Sequence, residues 1–456
     1  MPESLDVIVL AAGQGTRMRS AVPKVLHEIA GRSLLERVLD VAAELEADRV
    51  HVVYGHGGEA VRAAAHRPGV GWVKQAEQLG TGHAVAQALP ELGEGTVLVL
   101  YGDVPLITPA TCRRLLNEVG SDTVALLTAT LADASGYGRI VRDGSGAVTS
   151  IVEDNDATDD QRTIQEVNTG ILAAQAEPLK RWVRALDTDN AQGEYYLTDV
   201  IRLAVNEGKA VRTAQPEEVT ETLGVNDREQ LAYLERCFQR RQVRALMANG
   251  VTIRDPERLD IRGEVTAESD VTIDVNVVLE GKVHLAGGVR IGPNNLVRDS
   301  TVGACSEILA NCVIEEATVG PDCRVGPFSR LRPGAQLGES VHIGNYVEVK
   351  KSSIGDGSKI NHLTYVGDSE VGRAVNIGAG TITCNYDGVS KHRTVIEDEA
   401  FIGSGVELVA PVRIGRGATI GAGSTIGKDA PPDGLTLERA RQKTISGWRR
   451  PVKGSR

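Results

Sequence analysis

Beyond Gly250 a small or branched aliphatic residue returns at every sixth position. One run is Ile261, Ala267, Ile273, Leu279, Leu285, Ile291 and Val297; after a slip of one residue it resumes at Val302, Ile308 and Ile314. A longer run covers Val319, Val325, Leu331, Leu337, Ile343 and Val349, followed by Ile354-Ile360-Val366 and Val371-Ile377-Thr383. The last set is Ile402, Leu408, Ile414, Ile420 and Ile426. A hexad fits neither an α-helix nor an alternating strand; it is the period of a parallel β-helix. Each hexad supplies one short strand and one tight turn, and three hexads close a triangular coil. The aliphatic residue points inward and stacks on its equivalent one coil away, so stability accumulates along the stack. Such a narrow interior has no room for rings. That begins to explain why only 3% of the 456 residues are aromatic while 51 are glycine.

The period breaks between Thr383 and Ile402. The residues 384–401 are expected to leave the wall as a loop, and a loop on a rigid scaffold is a place for binding residues.

Residues 1–225 follow a different pattern. Short apolar runs at Val7–Leu10, Val50–Tyr54, Thr96–Leu100 and Thr123–Leu127 alternate with helix-like segments at 34–47 and 84–92. Unbroken apolar runs of this length are buried strands. Their alternation with helices predicts an open, Rossmann-like α/β sheet, mostly parallel, with its ligand at the C-terminal strand ends. Residues 226–250 have helical periodicity and charged faces and read as a linker helix. The expected division is 1–225, the helix 226–250, the β-helix 251–437 and a basic tail 438–456.

The first strand runs into Leu10-Ala11-Ala12-Gly13-Gln14-Gly15-Thr16-Arg17. Glycines there let the backbone approach a phosphate, and Arg17 and Lys24 supply cations. The pattern is neither a Walker loop nor a dinucleotide fingerprint. Gly80-Thr81 precedes a second helix-like segment and is suited to approach a base or sugar. Tyr101-Gly102-Asp103 ends a strand, and a carboxylate there is placed to hold Mg2+ against phosphates.

The segment Leu10–Arg19, with Pro23-Lys24 and the hexads, resembles the bifunctional N-acetylglucosamine-1-phosphate uridylyltransferase and glucosamine-1-phosphate N-acetyltransferase family over nearly the whole chain. The resemblance implies acetyl transfer from acetyl-CoA to glucosamine 1-phosphate, then uridylyl transfer from UTP with release of pyrophosphate. It implies nucleotide contacts from Leu10, Ala11, Ala12, Gly13, Lys24, Gln75, Gly80, Thr81, Tyr101, Gly102 and Asp103. It also implies sugar contacts from Gly138, Glu153 and Asn168, and Mg2+ ligands at Asp103 and Asn226. Gln14 stands where some members carry lysine. The implied assembly is a homotrimer of left-handed β-helices.

In the hexad region the tyrosines are Tyr346, Tyr365 and Tyr386, each beside polar residues. Positions about 18 apart lie on one side of successive coils. On that spacing Arg332, Lys350 and the 361–365 group are expected on one wall. His362 is suited to accept a proton from an amine attacking a thioester, with Glu348 orienting or charge-stabilising the imidazole. The resemblance adds Arg332, Lys350, Tyr365, Asn376 and Lys391 as amino-sugar phosphate contacts. It adds Ala379, Asn385, Tyr386, Ser404, Ala422 and Arg439 as acetyl-CoA contacts. This filled set argues against a β-helix that serves assembly alone.

The net charge of -11 argues against a dedicated nucleic-acid binder. Yet Arg439, Arg441, Lys443, Arg449, Arg450, Lys453 and Arg456 give an all-basic tail, suited to CoA phosphates or an acidic surface. No apolar stretch is long enough for a membrane span, and no signal core follows the first residues. The six cysteines form no CxxC pair. A cytoplasmic protein with reduced thiols and no stable membrane association is expected.

Overall fold

The computed structural model describes residues 4–13, 15–55, 57–450 and 453. Gln14 and Arg456 lie outside the described residues. The chain divides into two compact units, Met1–Phe238 and Gln239–Arg456.

In the first unit, strands β1 (Leu5–Ala11), β2 (Arg49–Tyr54), β3 (Val70–Lys74), β4 (Thr96–Tyr101) and β5 (Thr123–Thr130) share one sheet with β6 (Arg139–Arg142), β7 (Val148–Val152), β8 (Glu166–Gln175) and β9 (Ala210–Ala214). Its main path is β9-β5-β8-β4-β1-β2-β3. β1 is parallel to both β2 and β4, and every residue of it is buried. That burial on two faces is why its sequence is an unbroken apolar run. Helix α1 (Leu34–Glu44) covers one face, its start fixed by a reciprocal Ser33–Glu36 capping box. The strand β8 runs antiparallel to β4 and to β5, a direction that an apolar run alone does not encode.

The connection from β1 leads to β2 on one side, whereas β4 lies on the other. Such a reversal of strand order opens a crevice at the C-terminal strand ends. Residues 10–13 and 101–103 flank it.

In the second unit the three faces of a parallel β-helix are laid out as the hexads predict. One face is an eleven-stranded parallel sheet; the other two share a seventeen-stranded one, because Leu259–Ala267 and Val277–Leu285 run around a corner unbroken. The anchors Ile291, Ile308, Val325, Ile343, Ile360, Ile377, Ile402 and Ile420 stack on the first face, all buried. Each fully buried aliphatic side chain contributes about 1.5–3 kcal/mol. Gly344 shows why glycine follows so many anchors: a Cβ there would lie 1.9 Å from the Asn361 carbonyl oxygen of the next coil.

The expected loop 384–401 is shorter than its sequence suggested. Thr394–Ile396 is a wall strand, with Ser369 paired to Thr394 and Val371 to Ile396. Ile396 is 1% exposed and is therefore an anchor, six before Ile402. The excursion is confined to residues 385–393 and is closed by an antiparallel bridge between Tyr386 and Lys391.

Candidate active sites

In the first unit a cavity of about 270 Å³ opens at the strand ends, lined by Leu10 to Gly13, Lys24, Gln75, Gly80, Thr81, Tyr101 and Asp103. The Lys24 ammonium reaches the Asp103 carboxylate and lies 3.2 Å from Asn226 Oδ1. Asn226 is brought there by pairing of the backbone, in which the Val225 N–H donates to the Asp103 carbonyl at 2.9 Å. Two hard oxygens, one anionic, thus converge on one cation. That donor set suits Mg2+, which keeps several waters and takes few protein ligands. No cluster of three His, Cys, Asp or Glu ligands exists among the described residues.

Gly102 binds the other side of the crevice, its N–H donating to the Leu10 carbonyl at 2.9 Å. Arg17 is exposed in the short 3-10 turn Thr16–Met18 and lies outside the cavity lining. Gln75, 3% exposed, donates from Nε2 to the Gly80 carbonyl at 3.2 Å.

A second cavity of about 240 Å³ shares Thr81 and Glu194 with the first and is lined also by Glu153 and Tyr196. Gly138 and Asn168 adjoin it through the backbone: the Asn168 N–H donates to the Gly138 carbonyl at 2.8 Å. Burial raises the Glu153 carboxyl above its ordinary value, despite a hydrogen bond donated by Thr198 at 2.9 Å; Asp156, Asp199 and Asp154 add to the rise. Burial likewise pushes the Tyr101 phenol up, with the Glu153 and Asp103 charges adding. Its ring occupies the space above Gly170, where a Cβ would come within 2.6 Å. A desolvated carboxylate lining a cleft marks a functional position. Sequence reasoning passed over Glu194 and Tyr196; two adjacent tyrosines in a ring-poor chain were the available signal.

In the second unit His362 and Asn345 occupy the same place on consecutive coils, and His362 Nδ1 lies 2.7 Å from Asn345 Oδ1. The amide oxygen accepts from Nδ1–H and leaves the Nε2 of the neutral ring with its lone pair. Glu348, expected at the imidazole, instead gives its carboxylate to Arg332 Nη1 at 2.8 Å. The physical reason is a corner. His362 closes a strand of the first face, whereas Glu348 pairs with Tyr365 on the second. The single wall expected for Arg332, Lys350 and residues 361–365 is therefore two faces meeting at that corner.

On the second face the Glu348 hydrogen bond raises the Arg332 guanidinium further. Lys350 is lowered chiefly by the closeness of Lys391, then by desolvation and by the Arg332 charge, with Asp368 opposing. Arg332, Lys350 and Lys391 thus bring three cations together beside the carboxylates of Glu348 and Asp368. Asn385 is 7% exposed, binds Asp368 and lies 3.5 Å from the Tyr365 hydroxyl. Tyr386 projects from the loop, 60% exposed. Asn376 stands apart from this group, on the first face beside Lys359 and Phe401.

Above His362 the first face continues as a column of small residues. The Gly380 N–H donates to the His362 carbonyl, Gly405 to Ala379, Gly423 to Ser404, and Arg439 Nη1 to Ala422 at 3.0 Å. At about 4.8 Å per coil, Ala422 lies about 14 Å from His362. At the loop border, burial and the Glu407 carboxylate, 3.2 Å away, push the Cys384 thiol up to about 11. No helix among the described residues is long and apolar enough to cross a membrane.

Comparison with known proteins identifies the family. Residues 7–253 match the MobA-like NTP transferase domain, 261–349 the GMPPB C-terminal domain, and 393–428 six bacterial transferase hexapeptide repeats. The bifunctional protein GlmU of Aromatoleum aromaticum is 58% identical over 98% of this chain and 99% of its own length. Those of Dechloromonas aromatica, at 59%, and Methylococcus capsulatus, at 58%, cover 98% of the chain and 99% and 97% of their own lengths. An α/β nucleotidyltransferase unit followed by a left-handed β-helix of hexapeptide repeats, matched end to end at this identity, makes the chain a member of the bifunctional GlmU family of N-acetylglucosamine-1-phosphate uridylyltransferase/glucosamine-1-phosphate N-acetyltransferases.

Proposed function

We propose that the chain's two activities, acetyl transfer from acetyl-CoA to glucosamine 1-phosphate and uridylyl transfer from UTP to the product, are carried by separate sets of side chains, one in each unit. The observation behind this division is that each compact unit holds its own polar site, Lys24–Asp103–Asn226 in one and His362–Asn345 in the other.

In the second unit His362 Nε2 accepts a proton as the amine nitrogen bonds to the thioester carbon. The carbon–sulfur bond then breaks, and the proton passes to the departing thiolate. Arg332, Lys350 and Lys391 bind the sugar phosphate, with Tyr365 and Asn376 on the sugar. The column Ala379, Ser404 and Ala422 gives the extended arm of acetyl-CoA a floor without bulky side chains, between Asn385-Tyr386 and Arg439. The exposed rings Phe328 and Tyr346, stacked at 5.4 Å at the corner beside Leu363, favour a homotrimer that covers this corner and joins Asn376 of one copy to the cations of another.

In the first unit Leu10–Gly13 and Lys24 hold the UTP phosphates, and Gln75, Gly80 and Thr81 face the base. Gly138, Glu153 and Asn168 hold the sugar. A sugar-phosphate oxygen attacks the α-phosphorus, and pyrophosphate leaves. Lys24 and Arg17 offset charge on the transferring group. Mg2+ held by Asp103 and Asn226 would further neutralise the phosphates.

Acetyl transfer is measured as CoA release and uridylyl transfer as pyrophosphate release. His362→Ala should abolish the first and spare the second; Asp103→Ala should do the reverse. Loss of both activities in both folded variants contradicts the division.

A further inference from the structure

The buried amide of Gln75 has two neighbours that both contact its nitrogen. Nε2 lies 3.2 Å from the Gly80 carbonyl oxygen and 3.0 Å from His83 Nδ1. A carbonyl oxygen only accepts, so the amide nitrogen must point that way, and Nδ1 must then present its lone pair. His83 is half-buried in the first turn of the helix Thr81–Ala88, its ring stacked on Tyr195 at 6.2 Å and its Nε2 3.1 Å from the Gln87 amide. Gln87 Nε2 also lies 3.3 Å from the His83 carbonyl, but Gln87 is only half-buried and can exchange that contact for water as it reverses its amide to accept from Nε2–H, so the more deeply buried Gln75 decides the tautomer. The remaining atom, Gln75 Oε1, accepts from no group among the described residues and is not sealed from solvent. Gln75 lines the nucleotide cavity.

We infer that His83 is a positioning residue for nucleobase choice: with the Gly80 carbonyl it holds Gln75 so that Oε1 faces the cavity as a fixed hydrogen-bond acceptor. This rests on the reading that Gln75 faces the base. A fixed acceptor matches the N3–H of uracil; in cytosine that position is a lone pair, and two acceptors would meet. A site that leaves a buried polar group unpaired or opposed rejects the wrong ligand strongly. Without the Nδ1 lone pair, only one contact opposes reversal of the amide, and a reversed amide offers cytosine a donor.

The test uses the full chain and compares kcat/KM for UTP and CTP with N-acetylglucosamine 1-phosphate. His83→Leu should lower the UTP-to-CTP ratio about tenfold, through KM for UTP, with kcat within about twofold of the parent. His83→Asn, whose Oδ1 replaces the Nδ1 lone pair, should keep the ratio. His83→Ala carries the same expectation as His83→Leu and serves where leucine is not tolerated. If Gln75→Ala collapses the ratio and His83→Leu leaves it unchanged, the positioning role is wrong. A collapse in His83→Asn as large as in His83→Leu overturns it too. An unchanged ratio in Gln75→Ala overturns the base-facing reading itself.

Discussion

His362 Nδ1 and Asn345 Oδ1 meet at 2.7 Å across one coil step of the β-helix. The amide fixes the imidazole without lending it charge. Asn345→Ala should lower kcat for acetyl transfer about ten- to a hundredfold. That is less than His362→Ala, which removes a general base contributing roughly 10²–10⁴. Asn345→Asp should shift the acidic limb of the pH–rate profile to higher pH, because a carboxylate favours imidazolium. Unaltered steady-state kinetics in Asn345→Ala would remove the residue from the site.

Glu153 has a raised carboxyl in the folded state. The native state then holds that proton more tightly than the unfolded chain. Its contribution to stability therefore falls as pH climbs from the ordinary value of 4.5 through the raised one, and stays low above it. Glu153→Gln should flatten that part of the stability–pH curve in denaturant titrations of the first unit. It should also raise KM for the sugar phosphate in uridylyl transfer. A steeper curve would show that the carboxylate is stabilising.

Lys350 is held below its ordinary value first by Lys391. In Lys391→Met it should titrate higher, as followed by NMR of labelled lysine, while KM for glucosamine 1-phosphate rises about tenfold from loss of one charge-assisted contact. Saturating the parent protein with the sugar phosphate should raise Lys350 in the same direction. A Lys350 titration indifferent to both would separate it from the anion site.

Ile396 and Val389 are 1% and 90% exposed, although both fall in what the sequence presents as one insertion. Ile396→Ala should cost about 2–5 kcal/mol in the β-helix. Val389→Ala should stay within about 0.5 kcal/mol. Equal effects in chemical denaturation would restore the longer loop.

Ser404 lies two coils above His362 in the small-residue column. Ser404→Leu should raise KM for acetyl-CoA at least about tenfold and leave KM for the amino sugar nearly unchanged. A change confined to the amino sugar would move the thioester elsewhere.

The interior of the β-helix was legible because burial repeats with the sequence; every hexad anchor from Leu279 onward is buried. Ile396 escaped because the period was read forward from Thr383 across the excursion. Spacing near 18 also told which coil carries Glu348 and which His362, but not that a corner separates them. In the first unit the strand ends bearing Gly13 and Asp103 were readable as candidate ligand positions, whereas the strand Val70–Lys74 that precedes Gln75 was not. Strand direction in Glu166–Gln175 was not, since apolar runs report burial and not polarity of the chain. Likewise Asn345 and His83 meet partners that are close in space but not adjacent in sequence, and a lone asparagine or histidine carries no mark of that.

Residues 385–393 leave the wall between two coils that remain in step: Ile377 meets Ile402 directly, as Ile360 meets Ile377. The excursion is thus a cassette whose length is invisible to the stack. Substitution, shortening or exchange of its outer residues leaves the coils on either side in alignment. A rigid solenoid of this kind lets one surface be revised by selection without renegotiating the scaffold that bears it.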